Sequence, residues 1–383
     1  MHMKKILVLS AAVLMALAAN AKIWRINPNE AALADFQSLD EACEADQVEK
    51  FDTLYCEPGT YPNYQTVTKQ CLTILGPGWE IPTNFGSTST IGTAYFADVL
   101  RISADSLTIA GLQVTSIQLY NKSLRNITIE RCKIGILYTQ NIGYSDVIKN
   151  ITIRNNYFTT KLYADRRPIT LDYGNSLLNI SIENNIIIDH RPADTWGDLG
   201  DVITLIAYYE ANTSGTIAHN TIVGFAGYYQ SNSFINARRA VIRDNILINK
   251  ATTEDSWKKY ALYYDKVQTC EVYNNVLSVT DENASADMKQ YFPNNHYIGA
   301  TISNTFTQAI IGNAEETFFQ LKDGSVAAGK AYSGEDCGAF AGGWPFIVQG
   351  RPMGIPYIYD VQVPNTVSGD EMSISFKVKA NNQ

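Results

Sequence analysis

A short phrase of alternating apolar and polar residues returns along the chain. It reads Asn126-Ile-Thr-Ile-Glu-Arg-Cys132, Asn150-Ile-Thr-Ile-Arg-Asn-Asn156 and Asn179-Ile-Ser-Ile-Glu-Asn-Asn185. Looser copies follow at Thr216-Ile-Ala-His-Asn220, Ala240-Val-Ile-Arg-Asp-Asn245 and Cys270-Glu-Val-Tyr-Asn-Asn275. Each has the period-two pattern of a strand with one buried face, then a tight polar turn and another short apolar run. The copies end at 132, 156, 185, 220, 245 and 275, so successive spacings are 24, 29, 35, 25 and 30 residues. Such spacings suit one coil plus a loop of variable length. Upstream, Leu107-Thr-Ile-Ala-Gly111 and Leu72-Thr-Ile-Leu-Gly76 read as earlier rungs with glycine at the turn.

A strand of this kind cannot bury its apolar side alone. Stacked coils solve the problem: each strand pairs in parallel with its equivalents above and below, and the inward residues form a continuous core. Asparagine at the turn tolerates unusual φ and bonds neighbouring backbone, so stacked Asn side chains should form a ladder inside the bend, with Cys132 taking that place in one rung. These residues could instead be glycan acceptors or ligand contacts. Their recurrence at one turn position favours the structural role.

The repeat resembles the pectin lyase-like superfamily, over about residues 35–345. Three further stretches carry the likeness: Phe36-Gln-Ser-Leu-Asp-Glu-Ala42 as an amphipathic cap helix, Asp52-Thr-Leu-Tyr55 as a strand and Pro58-Gly-Thr-Tyr61 as a turn. Phe319-Gln-Leu-Lys-Asp-Gly-Ser325 with Gly334-Glu-Asp-Cys-Gly-Ala-Phe340 is similar to the closing coil of secreted bacterial β-helix proteins. The resemblance implies an all-β fold, a right-handed parallel β-helix with an N-terminal cap helix. Its members include polysaccharide lyases, polygalacturonases, tailspikes and adhesins, so it implies fold more than function.

Lys4 and Lys5, the apolar run Ile6–Ala19 and the small-x-small site Ala19-Asn20-Ala21 read as an export signal. The expected division is a signal peptide over 1–21, a capped β-helix over 22–345 and a C-terminal hairpin tail over 346–383. In the tail, Ile358-Tyr-Asp-Val-Gln-Val-Pro364 and Met372-Ser-Ile-Ser-Phe-Lys-Val378 alternate around Ser368-Gly-Asp370 and would cover the open edge of the last coil. No later stretch has the roughly 18 apolar residues of a membrane span, so no membrane insertion of the mature chain is expected. The protein should be exported to the periplasm, cell surface or medium.

A net charge of −8 and no basic patch argue against nucleic acid and anionic membranes as partners. The six cysteines (Cys43, Cys56, Cys71, Cys132, Cys270 and Cys337) are scattered, with no C-x-x-C pair. Metal spacing is absent, which leaves disulfides or buried thiols. The reading is mostly buried thiols, with Cys43–Cys56 or Cys56–Cys71 as candidate bridges.

Chemistry on such a fold would lie along one outward strand face. The segments Ile169-Thr-Leu-Asp172, Ile203-Thr-Leu-Ile206, Ile235-Asn-Ala-Arg238 and Leu262-Tyr-Tyr-Asp265 supply one. With first and third residues inward, Thr170, Asp172, Thr204, Ile206, Asn236, Arg238, Tyr263 and Asp265 point outward, in a register that a one-residue slip would invert. Family lyases neutralise a uronate carboxylate with Ca²⁺ or Arg and remove the adjacent proton with a Lys, Arg, His or Tyr base. Arg238 and Tyr263 could fill these roles, with His190 as a further catalytic candidate; alternatively, Arg238 pairs with Asp265 of a neighbouring coil. Asp172 and Asp265 are substrate-binding candidates, but three coils, roughly 14 Å, separate them, too far for a hydrolase pair.

The long segment 189–201 holds His190, Arg191, Trp196 and several acids. Arg191, Trp196 and Asn236 are further substrate-binding candidates, Trp196 by stacking on a sugar ring. Asp194, Asp198 and Asp201 are candidate Ca²⁺ ligands, though their spacing is not that of an EF-hand; a solvated acidic loop is the alternative. The Tyr pairs 208–209, 228–229 and 263–264 add aromatic surface. The polygalacturonase motifs are absent, as are the Gly-x-Ser-x-Gly elbow and the His-Glu-x-x-His zinc site. The expectation is therefore an exported protein that engages polysaccharide, a lyase on acidic glycans if catalytic. The rival is a non-catalytic surface or envelope protein that binds glycan or serves as an adhesin.

Overall fold

The computed structural model describes residues 21–79, 92–120, 122–162, 167–172, 174–191, 201–225, 233–250, 261–311, 314–351, 356–362 and 375–380. The export signal, apart from Ala21, and Trp196, Asp194 and Asp198 lie outside the described residues. Among those described, no helix is long and apolar enough to cross a membrane.

The chain is all-β, with two large parallel sheets of ten and fourteen strands, an arrangement consistent with a β-helix or solenoid. The first sheet collects the repeated phrases, from Ile23–Ile26 through Leu124–Glu130, Val147–Arg154 and Ser176–Glu183 to Glu271–Tyr273. Its register stacks Ile109, Ile129, Ile153, Ile182, Ile217 and Ile242 in one column. All six are 0 % exposed. Burying each contributes roughly 1.5–3 kcal/mol relative to leaving it in water.

The second sheet divides along the strand Lys133–Gln140. Its first residues pair with Tyr157–Thr159 and its last with Ile169–Asp172. A second face therefore continues through Ile186–Ile188, Thr221–Gly224, Ile246–Asn249 and Val276–Leu277. A third face runs from the last residues of Ala94–Ile102, Gln113–Tyr120 and Lys133–Gln140 through Ile169–Asp172 and Ile203–Ile206 to Ile235–Ala237.

At the turn between the first sheet and the second face, the ladder forms as expected, with two residues sharing the work. The positive φ falls on the first residue of each turn pair: Arg131, Asn155, Asn184, His219, Asp244 and Asn274, at 51–58°. The second residue, Asn156, Asn185, Asn220, Asn245 or Asn275, is wholly buried. Each Asn Oδ1 accepts from the backbone N–H of the ladder residue one rung earlier, and each Nδ2 donates to a first-sheet carbonyl. For Asn220 these are Asn185 N at 3.0 Å and Ile182 O at 2.8 Å. Asn295 adds a rung, accepting from Asn275 N at 3.0 Å. Cys132 does take the asparagine's place: its N–H reaches Asn156 Oδ1 at 3.0 Å.

The stretch expected as a closing coil does something else. Residues 298–311 and 314–351 run back over the outward side of the second face. Gly338 N donates to Asp244 O, Ala339 N to Thr221 Oγ1, Asn184 Nδ2 to Ala339 O, and Arg131 Nη1 to Arg351 O. Phe306, Phe319, Cys337 and Phe346 share an apolar cluster with Ile186, Ile188, Val223, Ile246, Ile248 and Trp79. The physical reason lies in Ile186–Ile188, Thr221–Gly224 and Ile246–Asn249, whose residues are all buried. Strands apolar on both sides need a second cover. Gly350, at φ 56°, passes so close that a Cβ there would lie 1.9 Å from the Trp79 ring.

The helix Leu39–Glu44 starts at Ser38, whose side chain accepts from Glu41 N, and buries Leu39, Ala42 and Cys43. Pro356–Gln362 and Ser375–Ala380 form the antiparallel hairpin read from the sequence, as a two-stranded sheet of their own. All six cysteines are free, so neither Cys43–Cys56 nor Cys56–Cys71 is bridged. Burial pushes the Cys43 and Cys132 thiols up, Cys132 to about 12.

Candidate functional site

The third face carries an outward column of polar side chains. Register places Arg101, Gln118, Tyr138, Thr170, Thr204 and Asn236 side by side. At the usual strand spacing this column runs for roughly 24 Å. Arg101 Nε donates to Gln118 Oε1 at 3.0 Å, and Gln118 Nε2 to the Tyr138 hydroxyl. The Arg101 guanidinium lies 4.5 Å from the Tyr64 ring centroid and 4.7 Å from that of Tyr120. The expected register is therefore the one observed through Asn236: Ile169, Leu171, Ile203, Leu205, Ile235 and Ala237 are inward and 0 % exposed.

The far end of the column is a charged cluster around Asp201. This carboxylate is 2 % exposed. Its Oδ2 accepts from Asn236 Nδ2 at 2.8 Å and lies 3.9 Å from Arg167 Nη1. Its Oδ1 has no hydrogen-bond partner among the described residues and stands 4.0 Å from Lys266 Nζ. Arg167 Nη1 donates to Thr204 Oγ1 at 3.3 Å, and Arg238 Nη1 to Asn236 Oδ1 at 3.3 Å. Sequence reasoning missed Arg167 and Lys266. The signal for Arg167 was positional: Arg167 and Asp201 both stand two residues before paired strand starts, Ile169 and Ile203, and carry opposite charges.

Several expectations change here. Arg238 does not pair with Asp265; its Nε donates to Glu210 Oε2 at 3.0 Å and its Nη1 to Lys266 O at 2.7 Å. Leu262–Asp265 is no strand rung, because Tyr264–Lys266 forms a 3-10 turn, so Tyr263 and Asp265 leave the stripe. Asp265 instead accepts from Gln268 Nε2 at 2.7 Å. No hydrogen bond or ion pair joins Arg238 to Tyr263 or His190. Arg191 is no open substrate contact: it is 5 % exposed and forked onto Asp189 through Nε at 2.9 Å and Nη2 at 2.6 Å. His190 lies at the corner between the second and third faces. Asp201 meets cations and an amide donor rather than further oxygens, whereas Ca²⁺ takes six to eight oxygens. No group of three or more His, Cys, Asp or Glu suited to a metal occurs among the described residues.

Asp172 stays on the face, where burial raises its carboxyl pKa, opposed by the Thr139 hydroxyl and the Arg167 charge. Beyond it an aromatic shelf borders the face. Tyr144 and Tyr208 have ring centroids 4.5 Å apart, Tyr208 and Tyr209 5.0 Å, and each ring is more than half exposed. A cleft of about 260 Å³ lined by Thr139, Gln140, Asn141 and Ile142 opens nearby.

No family model, curated protein or solved structure matches the chain.

Proposed function

We propose that the protein is an exported, right-handed parallel β-helix of the pectin lyase-like kind, capped by the helix Leu39–Glu44, that binds an acidic polysaccharide along its third face. The observation that carries this reading is the Asp201 cluster. A buried carboxylate with one oxygen that has no hydrogen-bond partner among the described residues lies beside two cationic side chains, Arg167 and Lys266, and Lys266 Nζ makes no hydrogen bond among the described residues. Asp201 holds Lys266 and Arg167 in place from beneath, and these two partly exposed cations can meet a uronate carboxylate. Arg101, Tyr138 and Thr170, the half-buried members of the polar column, can offer a polymer donors and acceptors, and the tyrosine shelf offers rings to sugar faces. Export is supported by Lys4, Lys5 and the apolar run that follows.

Binding is favoured over β-elimination because Arg238 is held by Glu210 and the Lys266 carbonyl. A lyase needs a base within reach of the proton beside its neutralised carboxylate. The test is calorimetric titration of the mature protein with polygalacturonate and with a neutral galactan. Lys266→Ala should weaken polygalacturonate binding about tenfold, the loss of one charge-assisted contact worth about 1.4 kcal/mol. Absence of binding to any uronate polymer would sink the proposal. A growing absorbance of unsaturated uronate in the same mixtures would turn the binder into a lyase.

A further inference from the structure

The corner where the second face turns into the third holds a separate group of cations. Register aligns Thr159, Ile188, Val223 and Ile248 on four successive rungs. Two residues further on, these rungs carry Lys161, His190, Phe225 and Lys250. The backbone holds them in step: His190 N donates to Thr160 Oγ1 at 2.7 Å, Asp189 N to Val223 O at 2.9 Å and Lys250 N to Gly224 O at 2.7 Å. Gly224 is required here, since a Cβ would lie 2.7 Å from that of Asp189.

The nearby acids are largely engaged elsewhere. Asp189 is 1 % exposed and forked by Arg191. Glu315 accepts from the Tyr157 hydroxyl at 3.3 Å and is 3.8 Å from Lys161 Nζ, a weak contact with a half-exposed lysine. Neither the Lys250 ammonium nor the His190 ring has a hydrogen-bond partner among the described residues, and Lys250 is half-buried. Like charges thus share this corner, and among the described residues only the long Lys161–Glu315 contact pairs any of them, which disfavours the charged forms of His190 and Lys250. Burial and then Lys161 and Lys250 lower the His190 pKa, while Asp189 and Glu315 oppose the shift. Burial likewise lowers that of Lys250, with Lys161 acting in the same sense and Asp189 against it.

We infer that Lys161, His190 and Lys250 form an oxyanion site that takes the carboxylate or sulfate ester of an acidic glycan. The site lies apart from the Asp201 cluster and gives the polymer a second charged anchor. It rests on the glycan-binding reading for the source of the anion, but the site itself can be tested without a polymer.

The mature chain has three histidines, His190, His219 and His296, so ring NMR signals resolve each one. The probes are free galacturonate, inorganic sulfate and neutral galactose. Galacturonate or sulfate should raise the His190 pKa by about one unit, the effect of an opposite charge a few ångströms away, and galactose should not. Lys250→Ala should raise the His190 pKa without any anion, by removing a repelling charge, and should abolish the response to anions. Lys161→Ala is the second variant, with the His219 and His296 signals reporting an intact fold.

An unmoved His190, or an undiminished response in both variants, would overturn the site. If His190 responds as expected and no uronate polymer binds, the oxyanion site stands and the glycan reading falls. If polygalacturonate binds wild type and Lys250→Ala equally and His190 does not move, the reverse holds. A response to sulfate alone assigns the site to sulfate esters, and one to galacturonate alone to uronates.

Discussion

Two corners of the same coil, on either side of the second face, use polar residues in opposite ways. At the first-sheet corner one residue type recurs: Asn156, Asn185, Asn220, Asn245 and Asn275 are each 0 % exposed. Both ends of each amide are spent inside the protein. At the other corner the equivalent positions hold Thr160, Asp189, Gly224 and Asn249, then Lys161, His190, Phe225 and Lys250, with no single residue type recurring rung after rung and with the Lys250 ammonium and His190 ring making no hydrogen bond among the described residues. A polar position that is repeated and fully bonded belongs to the fold, because a buried amide must find its partners internally. One that is irregular, charged and incompletely bonded has capacity left for a ligand.

The most severe way to break the comparison is Asn220→Leu, close in volume but without hydrogen bonds. It would orphan Asn185 N and the carbonyls of Ile182 and Ala218, and remove a partner from Asn245 Oδ1. At about 1–3 kcal/mol for each orphaned buried group, the expected loss of stability is about 3–5 kcal/mol. It should appear as a lower urea midpoint. Lys161→Ala, at the other corner, should move that midpoint by less than about 0.5 kcal/mol equivalent. Equal losses at the two corners would erase the distinction.

A subtler change sharpens it. Cys132 Sγ lies 3.2 Å from Glu130 O and 3.9 Å from Ile109 O. These are the counterparts of the Glu183 and Ile153 carbonyls that Asn185 Nδ2 reaches at 3.0 and 2.9 Å. Cys132→Asn should therefore extend the ladder by one rung and raise stability by about 1 kcal/mol, the net worth of a typical added hydrogen bond. A lower urea midpoint would show that the wider sulfur fits this rung better than the amide.

The comparison also explains what could be read in advance. The ladder was legible because one phrase repeats with its inward isoleucines in phase, and Asn126, Asn150 and Asn179 likewise align in a shorter outer row. The backward-running residues 314–351 were not, because they have no period; their cover is made of scattered residues such as Ala327, Ala331, Cys337 and Phe346. Their one available sign was indirect, in the unbroken Ile186-Ile-Ile188 run, which a strand facing water on one side would not carry. Of the polar column, Thr170, Thr204 and Asn236 followed from alternation, while Arg101, Gln118 and Tyr138 emerged only from the strand pairing. Beyond Asn236 the 3-10 turn at Tyr264–Lys266 broke the register, and no pattern of period two could place Lys266 beside Asp201.

The smallest expected effect concerns the aromatic shelf, where neither repetition nor charge is at work. Tyr208 is 55 % exposed, and among the described residues its ring meets those of Tyr144 and Tyr209 and makes no side-chain hydrogen bond. Removing its ring should cost the fold little, since its backbone N–H, which holds Gly174 O at 3.1 Å, is kept in an alanine variant. A sugar stacked on the shelf would lose one aromatic face, worth about 0.5–1.5 kcal/mol on the scale of ring pairs. Tyr208→Ala should therefore leave the urea midpoint in place and weaken polygalacturonate binding by about threefold to tenfold. Because stacking is indifferent to charge, that loss should persist at high salt, where the contributions of Lys266 and Lys250 fade. A loss that disappears with salt would mean that Tyr208 acts by positioning charged groups and that the shelf takes no sugar face.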